Sequence, residues 1–83
     1  MSLGDYIAAS LDREIYKVGL EVTIHRNIRK WQDRPALSKG EEATISDYRS
    51  FLGQYGPEPR VLVTLADGRS RWISGADVDL PKN

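Results

Sequence analysis

The sequence predicts a mainly β fold, and three observations carry that expectation. Val18, Leu20, Val22 and Ile24 alternate with Gly19, Glu21, Thr23 and His25, a period of two that places one apolar face on an extended strand. The run Val61-Leu62-Val63-Thr64-Leu65-Ala66 meets Asp67-Gly68 and then Arg69-Ser70-Arg71-Trp72-Ile73, the pattern of two strands joined by a tight turn. Glycine and proline at 35, 40, 53, 56, 57 and 59 cut the chain into short elements.

Eighty-three residues make a single domain over 1–83, with a helix within 1–16 and a β unit over 17–81. In the helix, Leu3, Ile7, Leu11 and Ile15 recur four apart, and Asp5, Asp12, Arg13 and Glu14 fall mostly off that stripe. Ser2 with Asp5 resembles a capping box. The first strand follows from Val18. Residues 27–40 break every period and read as a long loop, the kind that usually carries function in a small domain.

Ala43 and Ile45 begin a second strand, with Thr44, Ser46 and Tyr48 on its other face. Residues 50–59 read as a second long loop, since Gly53, Gly56, Pro57 and Pro59 cannot continue a central strand. With Asp67 and Gly68 as a two-residue turn, Ala66 pairs with Arg69, Val63 with Trp72 and Leu62 with Ile73. That register gives an apolar face of Val61, Val63, Leu65 and Trp72. Arg69 and Arg71 lie on the polar side, and the Leu62–Ile73 pair there needs the N-terminal helix as a cover. Ser74 to Asp77 reads as a tight or 3-10 turn, and Val78 with Leu80 as a short closing strand.

One helix, five strands, two long loops, a tight hairpin and a closing turn are the plan of an SH3-like five-stranded, partly open barrel. Such a barrel buries alternate side chains and limits exposed strand edges. Its interior is expected to hold Val22, Ile24, Ile45, Val63 and Trp72. An OB-like barrel would want longer strands and a helix between the third and fourth, and the sequence shows neither.

Twelve basic residues balance twelve acidic ones, so no global field favours nucleic acid or anionic lipid. Cysteine is absent, which removes thiolate chemistry and disulfide staples. No apolar run has the length of a membrane span, and the N-terminus lacks the basic-then-apolar layout of a signal peptide, so a cytoplasmic protein without a membrane partner is expected.

Catalysis finds little footing in these residue types, and no catalytic residue, metal or cofactor is expected. His25, the single histidine, lies on the outward face of the first strand. Asp77 and Asp79 could touch a hard cation, but two carboxylates fall short of the six to eight oxygens calcium takes, and a charged turn explains them better. Ser70 and Ser74 have no histidine to act as base.

Binding has more to work with. Residues 26–40 carry Arg26, Arg29, Lys30, Arg34 and Lys39 against the one acid Asp33, a basic island around Trp31. Arg and Trp supply large area and strong hydrogen bonding at interfaces. The second loop adds Tyr48, Phe51, Leu52 and Tyr55, with Arg49 after Tyr48. If the two loops lie side by side, Trp31, Tyr48, Phe51 and Tyr55 make a groove rimmed by Arg29, Lys30, Arg34 and Arg49, with Arg26 at its entry. Such a groove suits an acidic or proline-containing protein segment, or a stacked single strand of nucleic acid. Against that stand blander roles: Trp31 as a plug for the barrel, Phe51 and Leu52 as a plug under their loop, and the cations as a solvated face paired with Glu41 and Glu42.

Val22 to Arg29, reading Val-Thr-Ile-His-Arg-Asn-Ile-Arg, resembles the first strand and loop entry of NifZ-like nitrogen-fixation accessory domains. Gly40 to Leu52 is similar to that family's glycine, acid, alternating strand, Asp and Phe-Leu. Lys30-Trp31-Gln32 departs from it, standing where the family has a glycine-containing stretch. The resemblance spans roughly residues 18–80 and implies a non-enzymatic accessory that docks on a larger metalloprotein client during assembly. The alternative is a small nucleic-acid-binding barrel that uses the basic loop 26–40.

Overall fold

The computed structural model describes residues 14–81. Within them five strands form one antiparallel sheet: β1 (Glu21–Ile24), β2 (Glu42–Gly53), β3 (Gly56–Leu65), β4 (Ser70–Ser74) and β5 (Val78–Asp79). The strand order is β4-β3-β2-β1-β5, and a 3-10 turn, Gly75–Asp77, links β4 to β5. The mainly β class and the five strands are as expected. The sequence predicts a partly open barrel; among the described residues no ladder joins β4 to β5, and the five strands form one sheet that is not closed. The helix expected within 1–16 falls largely outside the described residues. Of that segment only Glu14 and Ile15 are described as helical, which gives the helix no support.

Alternation does what its period dictates in three strands. Val22 and Ile24 of β1, Ala43 and Ile45 of β2, and Val61, Val63 and Leu65 of β3 are all buried, with Ile73 and Val78 completing the layer. At Ser46 the β2–β3 pairing steps from Ile45–Val63 to Asp47–Leu62, so one extra residue bulges out. A bulge reverses the facing of everything beyond it. Tyr48 therefore turns inward opposite Val61, against the expectation that it lies outward with Thr44 and Ser46. It stacks on Tyr16 with ring centroids 6.5 Å apart. Tyr16 in turn presses on Gly75, where an added Cβ would stand 2.8 Å from the Tyr16 ring and 3.0 Å from Pro59 Cγ.

The hairpin register is corrected by one residue. The Gly68 N–H donates to the Leu65 carbonyl at 3.0 Å and the Leu65 N–H to the Arg69 carbonyl at 2.8 Å, so the loop is Ala66-Asp67-Gly68, three residues long. Gly68 takes φ +93°, the left-handed position that such a loop reserves for glycine. Val61 thus pairs with Ile73, Leu62 with Trp72 and Val63 with Arg71. A slip of one flips every side chain of β4. Trp72 leaves the core for the outer face, Ile73 enters the core without needing a helix to cover it, and Arg69 and Arg71 share the inner side.

The expected loop at 50–59 is also a correction: β2 and β3 continue through it as a two-stranded ribbon, Ser50 opposite Pro59 and Leu52 opposite Pro57. Pro57 and Pro59 are two apart, so both direct their missing N–H to the same side. β4 ends its pairing at Arg60, which leaves that side of β3 as a free edge where proline is tolerated.

Residues 25–41 are likewise ordered where no period was legible. Ile28 and Leu37 exchange backbone hydrogen bonds of 2.8 and 2.9 Å, and Trp31 and Arg34 exchange bonds of 3.2 and 2.9 Å around Gln32-Asp33. The segment is a folded-back hairpin, and it contributes Ile28 and Leu37 to the core. Leu37 is 1% exposed, as deep as any strand residue but Ile45, Val61 and Val63.

A candidate arginine and aromatic groove

The one-residue register of β4 decides what the outer face carries. Leu62 and Trp72 stand side by side there, and the inverted facing beyond the β2 bulge adds Arg49 and Phe51, with Arg60 and Glu58 opposite them on β3. Together with Arg34 at the tip of the 25–41 hairpin these side chains line a groove of about 770 Å³. It runs from Asp33 and Pro35 to Leu52 and Gly53 on the ribbon.

Arg49 and Arg60 face each other across the β2–β3 ladder, where two like charges repel. Each guanidinium is drawn onto a ring instead: Arg49 lies 5.1 Å from the Trp72 centroid and Arg60 6.0 Å from the Phe51 centroid. Arg34 stacks on Trp31 at 4.9 Å, a cross-strand pair at the hairpin tip. Such contacts contribute about 0.5–1 kcal/mol each where the ring is exposed.

Arg26, Arg69 and Arg71 are committed to the fold. Arg26 donates from Nε to Asp77 at 2.7 Å, which raises its pKa. Arg69 bonds the Ala36 carbonyl at 2.9 Å, Asp67 at 2.8 Å and the Glu41 carboxylate, tying the β3–β4 turn to the long hairpin. Those bonds hold the Glu41 carboxyl below its usual range, helped by the Ser38 N–H; the Arg69 backbone N–H does the same for Asp67. Arg71 donates to the carbonyls of Arg29 at 2.8 Å and Pro35 at 3.0 Å, so the inner side of β4 serves as a clamp on the loop.

Of the residues expected to bind a partner, the structure brings Arg34, Arg49 and Phe51 into one groove, with Trp31 beneath Arg34. It sends the others elsewhere. Arg26 is at the β1–β5 seam on Asp77, Tyr48 is on the inner face, and Arg29 and Lys30 are exposed on the flank of the hairpin. Tyr55 stands 93% exposed at the ribbon tip. Trp31 and Phe51, at 54% and 52% exposed, are not plugs. Trp72, Arg60 and Leu62 were missed, because the two-residue turn put Trp72 in the core; the glycine at the third loop position was the signal for the other register.

Elsewhere, His25 Nδ1 lies 2.8 Å from Asp79 Oδ1 on the exposed β1–β5 seam. Among the described residues no three His, Asp or Glu side chains converge to hold a metal, and no helix is long and apolar enough to cross a membrane. No family model, no curated protein and no solved structure matches this chain.

Proposed function

We propose that this protein is a non-enzymatic binding module that docks a larger protein client through the groove over Trp72, on an SH3-like, partly open barrel. The strand order, the long β1–β2 hairpin and the 3-10 turn before β5 support the barrel reading. One observation carries the function: aromatic and arginine side chains from four separate elements, the 25–41 hairpin, β2, β3 and β4, converge on one exposed groove, the composition that dominates protein interfaces. The sequence resemblance at Val22–Arg29 and Gly40–Leu52 supports a metalloprotein under assembly, as in nitrogen fixation, as the client class.

A photocrosslinking amino acid at Ser70, which lines the groove, tests the reading in cells that express the protein naturally. A discrete protein adduct is expected from Ser70 and not from Glu21, which lies outside the groove, and Arg49→Ala should abolish it. Equal adducts from both positions, or none from Ser70, would remove the groove from consideration.

A further inference from the structure

We infer that the groove recognises an extended peptide segment with acidic side chains at alternate positions, Arg49 and Arg60 each taking a carboxylate; the inference rests on the groove being a protein-docking site. Among the described residues the ion pairs account for Arg26 and Arg69, whereas no carboxylate lies within ion-pair distance of Arg34, Arg49 or Arg60. Glu58 could have neutralised this pair. It lies instead against Gly53, in the space a side chain there would fill.

Two arginines directly opposite in a ladder, with no acid between them, work against the fold. An anion in the groove relieves that repulsion. Among the described residues neither guanidinium is engaged by an acid of its own, and each carries a planar fork of N–H donors that binds a carboxylate bidentately, as Lys does not. Along an extended peptide every second side chain faces the same surface, so acids at alternate positions present a row of carboxylates to the sheet.

Asp33 and Glu58 decide between a peptide and a nucleic acid. They line the groove together with the arginines. A phosphate backbone is charged at every unit and would be repelled by both, whereas a peptide can place neutral or basic side chains opposite them.

Nuclear magnetic resonance titration of the full chain tests this with three probes: an eight-residue peptide alternating Glu and Thr, the same peptide with Gln for Glu, and an oligothymidylate of similar length. The acidic peptide should shift the amides of Arg49, Leu62 and Trp72. Arg49→Ala and Arg60→Ala should each weaken it about tenfold, the loss expected for one charge-assisted hydrogen-bonded pair. Arg60→Lys, which keeps the charge and guards against misfolding, should weaken it severalfold. Equal binding of the Gln peptide at the groove would overturn the acidic inference while leaving the docking site. Tighter binding of the oligonucleotide there would overturn it in favour of nucleic acid. No groove shift with any probe would overturn it too, and the Ser70 adduct would then show whether the docking reading survives.

Discussion

Leu62 stands directly opposite Trp72 on the outer face of the β3–β4 hairpin, and the next pair, Val61 with Ile73, is buried. The two pairs make the register measurable. Ile73→Ala removes a buried branched chain and should cost about 2–4 kcal/mol. Trp72→Ala, on a half-buried outer position, should cost less than half of that. Urea midpoints at equal m-values check the order, and the reverse order would restore the two-residue turn.

Arg71 joins β4 to the loop through two carbonyls, at Arg29 and Pro35. Replacing it by Met keeps most of the stem and removes the donors, at a cost of about 1–3 kcal/mol for the carbonyls left unpaired. The local effect is the sharper readout. The amides of Ile28 and Leu37, which bond each other across the hairpin, should exchange faster while those of Ile45 and Val63 change by no more than the global loss. Unchanged protection at Ile28 and Leu37 would mean that the loop stands without its clamp.

Acid should loosen the same region through Glu41. Its hydrogen bonds from Arg69 and Ser38 hold its folded pKa below the ordinary 4.5, so its stabilisation is complete above that value and is lost as pH falls through the lower, folded one. Asp67, held below its ordinary 3.8 by Arg69, acts in the same direction slightly further down. Stability should therefore fall as pH drops below about 4.5, and Glu41→Gln should flatten that part of the curve while lowering the plateau at neutral pH. Denaturant titrations across this range decide it; an undiminished slope in the variant would assign the acid loss to other groups.

Gln32 is the one non-glycine residue at positive φ among the described residues, +55° at the first position of the two-residue turn between Trp31 and Arg34. That position favours glycine in two-residue hairpins. Gln32→Gly should raise stability, by up to about 1 kcal/mol after the entropy glycine adds to the unfolded chain, and Gln32→Val should lower it by more than 1 kcal/mol. Thermal melts of the pair check the sign, and a stabilised Val variant would contradict the turn geometry.

The core among the described residues was legible wherever facing is set by the chain itself. In a strand successive side chains point to opposite sides, so Val22, Ile24, Ala43, Ile45, Val61, Val63 and Leu65 declared their burial through alternation alone, and Ser74 with Gly75-Ala76-Asp77 announced a turn, which the structure makes 3-10. The groove was legible only in pieces. Arg34, Arg49 and Phe51 stood out as binding types, but Trp72 and Arg60 did not join them, and Tyr48 was placed on the wrong side.

Alternation determined which residues of each strand share a face, and so the mainly β class and most of the core. Tertiary structure alone decided the rest: which strand meets which residue of its neighbour, where the Ser46 bulge reverses the facing of β2, how the ribbon tolerates Pro57 and Pro59, and why Ile28 and Leu37 are buried in a stretch with no period. The reason is that facing within a strand is a local property of the backbone. Register and loop docking depend on hydrogen bonds between residues far apart in the chain, such as Arg71 with Arg29, and a shift of one residue there exchanges core for surface.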